Sequence, residues 1–114
     1  MTTFERWAVV AVPFPYVDRL QVKRRPALVV SGQRWLEAHG LLWVLMITSA
    51  GNEPWPDDIA IEDLALAGLP KPSVIRPSKI ATVEAARCER RGRVSSAVRR
   101  KVAAALRAGL EGLS

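Results

Sequence analysis

Seven consecutive apolar residues, Leu41 to Ile47, stand between a glycine and a pair of hydroxyl residues, Thr48 and Ser49. A run this short and this apolar reads as a buried strand rather than a helix. It ends in loop chemistry, Gly51-Asn52-Glu53-Pro54-Trp55-Pro56. Shorter copies of the pattern recur. Trp7 to Val12 is a β-branched run ended by Pro13 and Pro15. Asp18 to Arg25 is polar and basic and reads as a surface loop. Pro26 can open the next strand, where a missing N–H is tolerated, and Ala27 to Ser31 continue it. Gly32 to Gly40 reads as a connection with one helical turn. Ile59 to Ile61 and Ser73 to Ile75 read as further short strands, and Thr82 to Arg91 has alanine-rich helix propensity.

The chain's last part differs. Ser95 or Ser96 suits an N-cap. From there Val98, Val102, Ala105 and Leu106 fall at helical spacing, with Arg99, Arg100, Lys101 and Arg107 mostly on other faces. Gly109 is where that helix is expected to stop, in a left-handed conformation. Short strands followed by one helix suggest a mainly β fold, a small barrel closed by a terminal helix. A length of 114 residues suits a single domain, 1–114. No apolar run approaches the roughly 20 residues that cross a bilayer. Glu5 and Arg6 before a proline-broken segment make a poor secretory signal. The single cysteine, Cys88, excludes an internal disulfide and a cysteine-rich zinc site. A cytoplasmic protein is the simplest expectation.

The net charge of +6 is unevenly spread. Arg76 to Arg107 holds ten Arg or Lys against two acids, Glu84 and Glu89, whereas Glu53 to Asp63 is acidic. A basic face attracts polyanions by counterion release, and it equally suits an acidic protein partner. A solvated helix with no partner has the same composition.

Two strand ends carry polar chemistry. The basic run Lys23-Arg24-Arg25 meets Pro26 and an apolar strand, and Leu41–Ile47 ends in Thr48-Ser49. If the strands are neighbours, a guanidinium and a hydroxyl face one site that suits a phosphate. Each also reads as ordinary: a surface arginine, and a threonine closing a turn.

In order and spacing the chain resembles the MazF/PemK family, toxin ribonucleases of bacterial toxin–antitoxin pairs. The resemblance rests on Val9-Val10-Ala11-Val12-Pro13-Phe14-Pro15, Arg24-Arg25-Pro26-Ala27-Leu28-Val29-Val30-Ser31 and Ile47-Thr48-Ser49. It continues through Trp55-Pro56-Asp57-Asp58-Ile59, Gly68 to Ile80, and Arg91-Gly92-Arg93-Val94-Ser95 before a helix. It implies an SH3-like barrel of the CcdB/PemK type, usually a homodimer, and a strand within Thr82 to Arg91. It also implies a metal-independent endoribonuclease that cuts single-stranded RNA, such as mRNA, at a short sequence, needs no cofactor and is silenced by an antitoxin.

Carried over residue by residue, the resemblance makes Arg25, Thr48 and Arg76 the catalytic candidates. Lys23, Arg24, Ser49, Trp55, Ser78 and Lys79 become RNA-binding candidates. An arginine fixed beside the scissile phosphate would stabilise charge that grows in the transition state. Two departures stand out. Some relatives carry an acid where this chain has Ser78, and a His or Glu in the loop that here offers only Asp18. A guanidinium, permanently charged, is a poor base. The proton acceptor therefore stays open among Asp18, Glu53 and Asp57.

Trp55 has three readings: a base-stacking platform, an antitoxin contact, or a staple over the core. Trp7, Trp35 and Trp43 read as core or interface residues. The lone His39 reads as a solvent-exposed turn residue, Cys88 as an inert thiol, and no spaced His/Cys set points to a metal. The rival function is a non-catalytic member of the same fold, either a gyrase poison like CcdB or a plain nucleic-acid-binding barrel.

Overall fold

A computed structural model describes residues 4–15 and 22–113. Among these are strands β1 (Ala8–Pro15), β2 (Val22–Val29), β3 (Leu41–Ser49), β4 (Ile59–Ala60), β5 (Ser73–Glu84) and β6 (Glu89–Arg93). The helices are α1 (Gln33–His39), α2 (Leu64–Ala67) and α3 (Ser96–Gly109). The strands form one antiparallel sheet in the order β4-β5-β3-β2-β1-β6, curled into a half-barrel.

Strand alternation divides the core between the two faces. Ala8, Val10, Val12, Ala27, Val29, Leu42 and Val44 pack on one face with Leu36 of α1. Val9, Leu28, Leu45 and Ile47 pack on the other, against Val98 and Val102 of α3. With both faces covered, β3 needs apolar residues at successive positions, which explains its unbroken run. Trp43 is the exception, 41% exposed.

Several local expectations shift. β1 runs on through Pro13 to Pro15. Its pairing with β6 ends at Ala11, and beyond that point no other described strand pairs with that edge of β1, so a missing N–H there breaks no described ladder bond. Lys23 to Arg25 belong to β2 rather than to a loop, because they pair with Val12 to Phe14 of β1. Asp18 to Gln21 lie outside the described residues. Pro26 sits inside β2 instead of opening it.

Gly32 to Gly40 holds a seven-residue helix, closed by Gly40 at φ 66°. α2, capped by the Asp63 carboxylate on the Leu66 N–H, was not foreseen. Thr82 to Arg91 splits into the end of β5, a 3-10 turn at Ala85–Arg87 and the start of β6. Ser95 caps α3 as expected, accepting from the Val98 N–H at 3.3 Å. Gly109 is not left-handed: α3 includes it, and Gly112 takes the positive φ of 88°.

Candidate RNA-binding and catalytic cleft

The site begins with Pro26. The β2–β3 ladder starts only at Ala27, opposite Met46. Proline has no N–H to extend it. Beyond this point β2 continues beside β1, while Ile47 to Ser49 pair, among the described residues, only with Ser73 to Ile75 of β5. The two strands part, and a cleft opens between them.

One hollow of this cleft, about 240 Å³, is lined by Arg25, Met46, Ile47, Thr48, Arg76, Lys79, Ile80 and Ala81. A second, about 390 Å³, also takes in Arg25, Ile47 and Thr48, and adds Ser49, Asn52, Lys71 and Ser73 among others. The three catalytic candidates thus meet in one place. Arg25 alternates with Ala27 on β2, and Thr48 with Met46 on β3, so both project from the same sheet face.

A break in β5 shapes the far wall. Leu45 pairs with Ile80 and the next residue, Met46, pairs with Arg76. Pro77, Ser78 and Lys79 are therefore extra residues that bulge from the ladder. Lys79 lines the cleft, while the exposed Ser78 lines neither hollow.

Thr48 Oγ1 accepts from Asn52 Nδ2 at 2.7 Å. Ser49 Oγ accepts from the Gly51 N–H at 3.3 Å, and the Asn52 N–H donates to the Ser49 carbonyl at 3.1 Å. Strand end and turn are therefore tied together.

Arg76 is 8% exposed and already partnered. Its Nε and Nη2 donate to the two oxygens of Asp58, each at 3.0 Å, and Nη2 also donates to the Glu53 carbonyl at 3.0 Å. Asp58 Oδ2 accepts from the Trp55 N–H too, at 2.9 Å. The Arg76 guanidinium lies 4.2 Å from the centre of the Trp55 ring, and Lys79 Nζ lies 5.6 Å from it. Bidentate pairing of this kind fixes orientation as well as charge. Hydrogen bonding to Arg76 holds the Asp58 carboxyl below the usual carboxylate range, and the same bond raises the Arg76 pKa. Asp58 is consequently a poor proton acceptor. This clamp holds the Glu53–Asp58 loop at the cleft edge, and sequence reasoning missed it.

The remaining candidates lie elsewhere. Arg24 pairs with Glu89 at 2.8 Å, and the exposed Lys23 lines neither hollow. Trp35 lies against His39, with ring centres 4.2 Å apart, and against Trp43, at 4.6 Å, on the surface of α1 and β3. Burial pushes the Cys88 thiol pKa up despite the nearby Arg24, and its Sγ donates to the Glu84 carbonyl. Among the described residues no three His, Cys, Asp or Glu side chains gather as a metal site would require. No helix among them is long and apolar enough to cross a membrane.

No curated protein matches this chain by sequence. Solved structures do match its fold. The MazE–MazF complex from Deinococcus radiodurans (Form-II) superposes with a TM-score of 0.77 at 21% identity, covering 100% of both chains. An endoribonuclease in complex with its cognate antitoxin from mycobacterial species gives 0.74 at 19% identity, over 96% of this chain and 95% of that one. The Mycobacterium tuberculosis toxin MazF-mt6 gives 0.68 at 17% identity, over 91% and 96%. Residues 5–110 match the profile of the PemK-like, MazF-like toxins. This chain, with its half-barrel, terminal helix and cleft at the β2–β3 fork, belongs to the PemK-like, MazF-like toxin family of type II toxin–antitoxin systems.

Proposed function

We propose that this protein is a metal-independent endoribonuclease that cuts single-stranded RNA at a short sequence and is neutralised by a cognate antitoxin. The observation that carries the reading is the meeting of Arg25 and Thr48 at the fork, in a cleft that also draws on Arg76 and Lys79. The 2′-hydroxyl of one nucleotide attacks the adjacent phosphorus and loses its proton. The bond to the 5′-oxygen breaks, and that oxygen gains a proton. The products are a 2′,3′-cyclic phosphate and a 5′-hydroxyl end.

Charge grows on the non-bridging oxygens as the phosphorus becomes five-coordinate. Arg25 supplies fixed donors there, and Thr48 adds a neutral one. Arg76 has a different part: its charge is taken up by Asp58, so it acts by holding Trp55 and the loop. Trp55, 41% exposed, offers a stacking surface for an unpaired base, with Lys79 beside it for a phosphate. Ser49 and Lys71 line the neighbouring hollow, where the strand can continue. Glu53 and Asp57, at the cleft-edge loop, are the proton acceptors to test first. An acidic antitoxin segment suits the basic surface, as the family's toxin–antitoxin pairing implies. The domain boundaries 1–114 and a homodimer complete the proposal.

The test is cleavage of a long RNA in EDTA with the ends mapped. Cuts at one short motif with 5′-hydroxyl ends are expected. Loss of one transition-state donor costs about 10²–10³-fold, so Arg25→Ala and Thr48→Ala should each fall by that order. Intact RNA bound by a folded protein would favour the non-catalytic reading instead.

A further inference from the structure

The Asn52–Thr48 hydrogen bond has a direction, and the direction matters for chemistry. A hydroxyl has one proton to give and two lone pairs that accept. Asn52 Nδ2 donates to Thr48 Oγ1 at 2.7 Å, so one lone pair is taken. Phosphate oxygens in a diester only accept. A Thr48 hydroxyl already accepting from an amide is set to give its proton to such an oxygen.

The turn that carries Asn52 is held at several points. The Ala50 N–H donates to the Pro72 carbonyl at 3.0 Å, and the Asn52 N–H donates to the Ser49 carbonyl at 3.1 Å. Asn52, Thr48 and Arg25 all line the same hollow. The amide thus sits at the end of a built turn beside the residues proposed for charge stabilisation.

We propose that Asn52 is a positioning residue of the cleft, whose amide commits the Thr48 hydroxyl to donate to a phosphodiester oxygen. This inference rests on the ribonuclease reading. It adds a residue that acts through Thr48 and touches no reacting atom itself. Its value is pre-organisation: a hydroxyl that need not reorient as charge develops stabilises the transition state more than the ground state.

The experiment compares the full-length protein with Asn52→Ala, Asn52→Asp, Thr48→Val and Thr48→Val/Asn52→Ala. Single-turnover cleavage of one RNA oligonucleotide is followed from pH 7 to pH 3, with thermal unfolding as a control on folding. Asn52→Ala should lower the rate about tenfold, less than the loss of a direct donor. In the Thr48→Val background the same change should have almost no further effect, because the hydroxyl it orients is gone.

Asn52→Asp is the sharper variant. At pH 7 its carboxylate accepts from Thr48, turns the hydroxyl away from the phosphate and repels it. Below about pH 4, the ordinary aspartate pKa, the protonated acid can donate as the amide does. The ratio of the variant's rate to that of the unchanged protein should therefore rise as pH falls. A flat ratio, or effects of Asn52→Ala and Thr48→Val that simply multiply, overturns the positioning role while leaving the ribonuclease reading intact. RNA left uncut by the unchanged protein overturns both.

Discussion

At the scale of single residues, the Arg76–Asp58 pair is where chemistry and stability meet. Both side chains are nearly buried, at 9% and 11% exposure, and both oxygens of the acid are engaged. Removing one partner strands the other charge. Asp58→Asn should lower the Tm by about 5–15 °C in a domain of this size. The pH dependence has a definite sign. Arg76 depresses the folded-state pKa of Asp58, so the stabilisation is complete above the unfolded value of about 4 and is lost as pH falls through the lower folded value. Denaturant unfolding from pH 7 to pH 2 should show the unchanged protein's advantage over Asp58→Asn constant down to about pH 5 and shrinking below it. An advantage that persists undiminished at pH 2 would show that the pair is not its source. Arg76 was legible in the sequence as a member of a motif. Its partner was not, because Asp58 lies 18 residues away and only the β4–β5 pairing brings the two together.

At the scale of elements, two glycines join α2 to β6. A Cβ on Gly92 would run into the backbone of Leu66 and Ala67, and Gly68, at φ +70°, lies equally close to the Arg91 carbonyl. Backbone cannot move aside as a flexible side chain can. Gly92→Ala should destabilise the fold by about 2–3 kcal/mol, read from urea midpoints at an unchanged m-value. A change below about 0.5 kcal/mol, within the range of an ordinary surface substitution, would mean the contact relaxes freely. The strands themselves were largely legible from apolar runs and punctuation. Their ends were not. β2 reaches back to Val22 because β1 is there to pair with it, and β5 runs through Pro77 by bulging rather than stopping. Neither partner is visible in a local window of sequence.

At the scale of the whole molecule, a net charge of +6 should make RNA association strongly salt-dependent. With three or four phosphates neutralised, log K should fall with log[salt] at a slope of about −2 to −3 for a single strand. Fluorescence anisotropy with a non-cleavable 2′-O-methyl oligonucleotide measures it. Arg25→Ala should reduce the slope by about 0.7, one phosphate contact. Arg100→Ala, exposed on α3 and lining neither hollow, should leave the slope unchanged. Equal effects would locate binding on the basic helix instead of the cleft.

The sequence by itself determined the mainly β architecture, the terminal helix with its Ser95 cap, and the residues that meet at the fork. These are local or periodic properties: an apolar run of strand length, a hydroxyl before a helical stripe, an arginine before a proline. Tertiary structure alone decided that Asp58 claims Arg76, that Arg24 turns to Glu89, and that Pro26 opens the cleft. A charge has no partner until the sheet is paired. Its role follows from which strand lies next to it, and that is set by the register of the whole sheet.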